Sequence, residues 1–198
     1  SSDLDILRGA PGFRPSFNAY MWADANAIAR VADLAGHKET AAQFRQKSES
    51  IKSNMQKLLW DPKREFYYQM FRNKETDKDG NTVDAGTLTY QSGKHAGSDQ
   101  GREEIGFVPW QFNMPNPGFE SAWKFLMDPN YFYSSFGPTT VGQKDPMFYL
   151  ASGCCWWSGR SWPYATTQTL KAMANLLQNY KQKFVTREDY FKLLHIYS

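Results

Sequence analysis

From Phe17 onward the apolar residues Phe17, Tyr20, Met21, Ile28, Val31, Ala32 and Ala35 recur at intervals of three and four. That is the period of one face of an α-helix, and Gly36 supplies its C-terminal stop. Ala41, Phe44, Ile51, Met55, Leu58 and Leu59 form a second such face. It runs into Trp60-Asp61-Pro62, where the proline cannot continue a helix easily. Two amphipathic helices with a short link predict an antiparallel αα-hairpin. Asp24 falls inside the first apolar face, between Tyr20 and Ile28. A carboxylate there needs a partner, so it reads as an acceptor holding a neighbouring loop.

The pattern changes over residues 65 to 95. EFYYQMF has the aromatic composition of a strand, DKDGNT is a turn, and TLTYQ reads as the returning strand. This predicts a β-hairpin excursion between helices, followed by the polar loop SGKHAGSDQG. Arg102 to Phe112 reads as a short helix broken by MPNPG. Asn116-Pro117 resembles a cap and a first-turn proline, opening a helix that carries Phe119, Ala122, Trp123 and Leu126 on one face. Those two helices predict a second hairpin. Residues 129 to 163 form a long irregular stretch rich in Gly, Pro and aromatics, and long structured loops are usually functional. Helicity resumes at Ala165 with Leu170, Met173, Leu177 and Tyr180 in register. Thr186-Arg-Glu-Asp189 has the form of a capping box before a last helix, whose face carries Tyr190, Phe191, Leu194 and Tyr197. The expected fold is mainly α, with six helices in three hairpins and one small β excursion.

Composition narrows the function classes. The 198 residues suffice for a single domain, with 41% hydrophobic and 22% charged residues. A net charge of +3 with no basic stripe does not favour nucleic acid, and no apolar run is long enough for a membrane span. Aromatic residues make up 16% of the chain, enough either to fill a core or to line a site that stacks flat ligands. The two cysteines, Cys154 and Cys155, are neighbours, which excludes a disulfide framework and suggests two small buried thiols. His37, His95 and His195 occupy unrelated positions, so no metal site is expected, and no dinucleotide, phosphate-loop or nucleophile-elbow motif occurs. The compartment stays open between extracellular and cytoplasmic. The opening SSDLDIL does not read as a native start, and YFKLLHIYS stops within an amphipathic pattern. Both ends are expected to be cuts in a longer protein.

The strongest local signal is GCCWWSGRSWPY at 153 to 164. Indole faces stack on the C–H faces of pyranose rings, and a guanidinium donates to hydroxyls. The same composition also suits a packed aromatic loop. Glu103 and Glu104 open a short helix, where the dipole favours carboxylates. The functional alternative has one of them facing a sugar hydroxyl beside Trp110. Asp145 could add a carboxylate to the rim of the Trp-rich loop.

The stretch FRPSFNAYMWADANAIARVADLAGHKETAAQFRQKSESIKSNMQKLLWDPKREFYY resembles trehalases and related α-glycosidases. GREEIGFVPWQFNMP and SGCCWWSGRSWPYATTQTLKAMANLL are closer still to six-hairpin glycosidases of the mannosylglycerate-hydrolase-like group, near the processing α-glucosidases. The resemblance runs over nearly the whole chain. Arg160 stands where a proline is common in that group, and Ser158-Gly159 where trehalases carry Asn-Gly.

The resemblance implies an (α/α)6 toroid, of which residues 1–198 would be about half, as a single partial catalytic domain. It implies an inverting glycoside hydrolase acting on an α-linked glucoside or mannoside, without metal or cofactor. The family's acid motif lies just before the first helix and its base in a later hairpin, so the chain would end short of the base. Asp3 and Asp5 are the carboxylates nearest the acid position, with Glu103, Glu104 and Asp145 as further candidates. Asn18, Tyr20, Trp110, Trp156, Trp157, Arg160 and Trp162 are the expected sugar contacts. A partner is expected to be a sugar or oligosaccharide, with the free hairpin faces covered by the rest of the parent domain or by self-association. The alternative is a non-catalytic carbohydrate-binding or scaffold protein that retains the fold.

Overall fold

The computed structural model describes residues 11–148 and 158–197. Its elements, in chain order, start with β1 (Gly12–Phe13) and the hairpin of α1 (Pro15–Leu34) and α2 (Lys38–Leu58). Short strands β2 (Trp60–Asp61), β3 (Phe66–Tyr67), β4 (Met70–Phe71), β5 (Glu75–Thr76) and β6 (Thr82–Val83) follow. A 3-10 turn, Glu104–Phe107, runs directly into α3 (Val108–Gln111), and a second 3-10 helix covers Glu120–Phe125. The chain closes with α4 (Pro163–Asn179) and α5 (Arg187–Tyr197). The fold is mainly α with minor β pairings, as the periodicity implies.

The first hairpin forms where the sequence places it, but α1 is turned over. Its buried residues are Pro15, Ala19, Ala25, Ala29 and Ala32. Phe17, Met21, Ile28 and Val31 face outward, Phe17 with 67% and Val31 with 65% of its surface exposed. The physical reason is spacing. On α2 the buried positions Ala41, Ser48 and Met55 recur every seven residues. An alanine stripe lets the two helix backbones approach closely, which bulky side chains would prevent. Asp24 therefore lies on the exposed side and holds no loop in place, contrary to expectation.

The β excursion is smaller than expected. Its turn is real: Asp77 accepts from the backbone N–H groups of Asp79 and Asn81, and Gly80 takes the left-handed conformation at φ +83°. The returning strand is β6, whereas Leu88 of the TLTYQ segment makes only an isolated bridge to Met70. β4 pairs back to β1 and β3 pairs with β2, so these aromatic residues are shared between two pairings. Asp61 and Arg64 fasten this region. The Arg64 Nε donates to Asp61 Oδ2 at 2.7 Å, and its Nη1 donates to the Thr89 carbonyl at 2.7 Å. The guanidinium lies 3.8 Å from the Tyr68 ring centroid.

The second hairpin is corrected. Residues 120–125 form a 3-10 helix, and Phe119 rather than Asn116 precedes it. Asn113 at φ +56° turns the chain at the end of α3, and the Asn116 N–H donates to Gln56. α3 packs on α4 instead. There Asn175 Nδ2 donates to the carbonyls of Trp110 and Gln111, satisfying two groups left open at a helix end. The capping box holds as read: Thr186 N donates to Asp189 Oδ2, and Asp189 N donates to Thr186 Oγ1. On α5, however, Leu193 is the buried residue and Phe191 is exposed.

The core is aromatic. Phe66 stacks on Phe132 and meets Phe107 edge to face, and Trp110 meets Trp123 in the same way. Such pairs add about 0.5–1.5 kcal/mol each beyond the area they bury. Gly106 allows the close approach: a Cβ there would lie 2.2 Å from Phe66 Cε1 and 2.9 Å from the Tyr67 carbonyl.

Candidate functional site

Two helices begin side by side at one end of the molecule. Both start with a proline, Pro15 in α1 and Pro163 in α4. Proline restricts the residue before it to extended backbone. Arg14, at φ −103° and ψ 142°, and Trp162, at φ −132° and ψ 120°, obey that restriction. Each stands just outside its helix, at the mouth of a cleft of about 280 Å3. Tyr20 and Phe17 of α1, Ile105 of the 3-10 turn, and Tyr164 and Gln168 of α4 complete most of its lining.

A backbone ladder sets this placement. Glu103 bridges to Val141, and Glu104 N donates to the Thr140 carbonyl at 2.8 Å. Thr140 N donates to the Gly159 carbonyl at 3.0 Å, and Thr139 bridges to Ser161. Three extended segments, around 103, 140 and 160, thus lie antiparallel beside one another. The ladder leads to Trp162 in the cleft lining, and Glu103 at its other end pairs with Arg14.

The polar groups are specific. Glu103 is buried and pairs with Arg14 Nη1 at 3.8 Å. Gln168 Nε2 donates to the Tyr20 hydroxyl at 2.9 Å, and side-chain hydrogen bonding with Tyr164 and Gln111 also engages it. Burial, and then the neighbouring Tyr164 phenol, push Tyr20 above its ordinary value, so it stays neutral. Trp162 and Tyr164 lie 5.1 Å apart, centroid to centroid, with planes inclined at 43°. Glu104 is fully buried behind the cleft and accepts from Thr169 Oγ1 at 2.8 Å, while its Oε2 has no hydrogen-bond partner. Burial pushes its carboxyl well above the usual carboxylate range, against a smaller lowering by the Thr169 bond. Burial therefore favours the protonated form of Glu104.

The expected sugar contacts divide. Tyr20 and Trp162 come together in the cleft. Trp110 does not: it is completely buried, packed between Tyr67 and Trp123, because α3 is pinned between the aromatic core and α4. Asn18 points into the groove between α1 and α2, and its Nδ2 donates to the Arg14 carbonyl at 2.8 Å. It holds Arg14 in place without lining the cleft. Arg160 lines a second hollow of about 740 Å3 with Tyr133, Phe136 and Gln143. Asp145 is corrected from rim carboxylate to loop latch: it accepts from the Tyr90 hydroxyl and from the N–H groups of Gly101 and Met147, each at 2.8 Å. Asp3, Asp5, Cys154, Cys155, Trp156 and Trp157 lie outside the described residues. Arg14, Tyr164 and Gln168 are additions. The signal for Arg14 was its place before a helix-opening proline, the same signal that marks Trp162. Among the described residues, no group of three His, Cys, Asp or Glu side chains could hold a metal ion.

The family model described as "Mannosylglycerate hydrolase MGH1-like glycoside hydrolase domain" matches residues 2–198. A solved structure described as a sialidase superposes with a TM-score of 0.78 at 30% identity, over 96% of this chain. The chain spans 16% of the length of that protein. A search of the curated proteins finds no match.

Proposed function

Because the chain belongs to the mannosylglycerate hydrolase MGH1-like glycoside hydrolase family, we propose that its cleft is one wall of a sugar pocket. The pocket would serve an inverting glycosidase acting on an α-linked glucoside or mannoside, within an (α/α)6 toroid of which this chain is about half. The observation that carries the reading is the convergence of Trp162, Tyr164 and Tyr20 with Arg14 and Gln168 where α1 and α4 begin. Flat apolar faces beside a few aimed donors are what a pyranose needs: C–H faces to cover and hydroxyls to satisfy.

Inversion uses two carboxyl groups roughly 6.5–9.5 Å apart across the scissile bond. Glu104 is walled off from the cleft by burial, and Glu103 is committed to Arg14. Neither fits the role of acid or water-activating base, so on this reading the described residues supply sugar contacts and no catalytic pair. No metal or cofactor enters the reaction.

The test is titration of the 198-residue chain with methyl α-glucoside and methyl α-mannoside, together with hydrolysis assays on trehalose, α-glucosides and α-mannosides. Saturable binding that Trp162→Ala weakens, without turnover, is the expected result. Binding that Trp162→Ala leaves intact contradicts the pocket assignment. Turnover at an enzymatic rate contradicts the division of labour, and Asp3, Asp5, Glu103, Glu104 and Asp145 are then the carboxylates to replace first.

A further inference from the structure

Two outward helix faces share one spacing. On α1, Phe17, Met21, Asp24, Ile28 and Val31 are exposed and follow one another at intervals of four, three, four and three. That is the seam of a helix that packs lengthwise on another helix. Its alanine side already meets α2, so the seam faces away from that partner. Asp24 puts one negative charge in the middle of the seam, and no ion pair among the described residues matches it. On α5, Arg187, Phe191 and Leu194 are exposed at intervals of four and three, Phe191 with 71% of its surface. Leu193 is turned inward, and the Tyr197 hydroxyl lies 2.9 Å from Thr167 Oγ1 of α4, so α4 covers a different side of α5.

The two faces are complementary. Each is apolar with one charge, negative on α1 and positive on α5. With Arg187 set opposite Asp24, the apolar positions also fall into step in either direction. Phe191 and Leu194 meet Ile28 and Val31 if the helices run parallel, and Met21 and Phe17, within one residue, if they run antiparallel. Pairing α1 with itself about the middle of its seam brings Asp24 against Asp24 of the other copy, and like charges facing each other oppose that arrangement. A single chain offers each face once, so a two-fold pair of chains makes the contact twice.

We infer that the occupant of the α1 seam is α5 of a second copy of this chain, with Arg187 of each copy against Asp24 of the other. The hairpin that covers α1 is then the α4–α5 hairpin of the second copy. The inference goes beyond the sugar-pocket reading and does not depend on it.

Sedimentation equilibrium of the 198-residue chain, without sugar, tests it over a wide concentration range. The expected result is a monomer–dimer equilibrium. Asp24→Arg and Arg187→Asp each weaken the dimer on the order of tenfold or more, because each sets like charges opposite one another twice. The double variant Asp24→Arg/Arg187→Asp restores the dimer by exchanging the charges. Should a charge-reversed variant fail to fold in urea titrations, Asp24→Asn and Arg187→Gln replace them, each weakening the dimer in the same direction but less. A chain that stays monomeric throughout overturns the inference. So does a dimer that the single variants leave unchanged, or one that they weaken and the double variant does not restore. Each of these outcomes leaves the sugar pocket standing.

Discussion

Along α1 the inward side is alanine and the outward side is Phe17, Met21, Ile28, Val31 and Leu34. Between Phe66 and Phe132 the arrangement is reversed, with Phe66, Phe107, Trp110, Trp123 and Phe132 almost fully enclosed. The first region gains its fit from small residues and leaves its bulk in solvent. The second has no long helix and is held by its rings and by two buried arginines, Arg64 and Arg102. The Arg102 Nη2 donates to the Arg64 carbonyl at 2.7 Å, and its guanidinium lies 3.9 Å from the Phe125 ring centroid. An apolar stripe of this extent is uncommon on the surface of a monomer. On the proposed reading a neighbouring hairpin of the toroid covers it. The irregular centre is where the stability of this chain should reside.

That contrast can be broken most severely at Asp61. Asp61→Ala leaves Arg64 charged and unmatched among Tyr68 and the loop carbonyls, a loss of about 3–5 kcal/mol for one partner of a buried pair. Urea unfolding measures it. Burial raises the Asp61 carboxyl, but its bonds to Arg64 and to the Lys63 and Arg64 N–H groups outweigh this and hold it below its ordinary value. A depressed carboxyl stabilises above its unfolded pKa, and the contribution fades as pH falls through the folded value. The gap between the variant and the unmodified chain should therefore close in acid. A loss below 1 kcal/mol at neutral pH would mean that this region is not held by its ion pair.

Gly106→Ala is the next largest effect. The added methyl meets the Phe66 ring and the Tyr67 carbonyl, neither of which can retreat from the core. The expected loss is about 1–3 kcal/mol by the same unfolding assay.

Glu104→Gln sharpens the comparison through pH. The folded carboxyl is raised from an ordinary value of 4.5, so the folded state holds its proton more tightly than the unfolded state. Stability should then decline as pH rises above that ordinary value, until the folded group itself ionises. The amide abolishes this slope, and Glu104→Gln should gain on the unmodified chain as pH rises above that ordinary value. Parallel stability–pH curves would contradict a raised Glu104 carboxyl.

The smallest effect on stability belongs to the α1 stripe. Val31→Ser and Phe17→Ser should change unfolding free energy by only about 0.5 kcal/mol or less, as exposed substitutions do. They should reduce self-association in light scattering. A large stability loss would show that these side chains are already buried in solution.

Much of this architecture was legible in the sequence. Period and punctuation located α1, α2, α4 and α5, and Thr186 with Asp189 announced the capping box that forms. What failed has a common cause. Periodicity identifies an amphipathic face but not which face meets a partner, so alanine against alanine in the α1–α2 hairpin was hidden behind the louder pattern of Phe17, Met21, Ile28 and Val31. The stretch from 102 to 126 reads as helices because its apolar spacing is helical. Its consecutive turns are instead dictated by where Phe107, Trp123 and Phe125 must reach in the core. In the site, Trp162 and Tyr20 carried a readable signal, whereas Trp110 was indistinguishable by residue type from a sugar platform. Only its burial between Tyr67 and Trp123 separates the roles. Asp145 likewise gave no local sign that Tyr90, 55 residues away, would claim it.

The central claim, that the cleft between the starts of α1 and α4 receives a sugar, is tested most directly by comparing tryptophans within one titration. Indole N–H resonances are followed while methyl α-mannoside is added to the 198-residue chain. The account predicts a saturable shift at Trp162, with Trp110 and Trp123 unmoved in the core. A Trp162 that stays still, or three indoles that drift together without saturation, would contradict it.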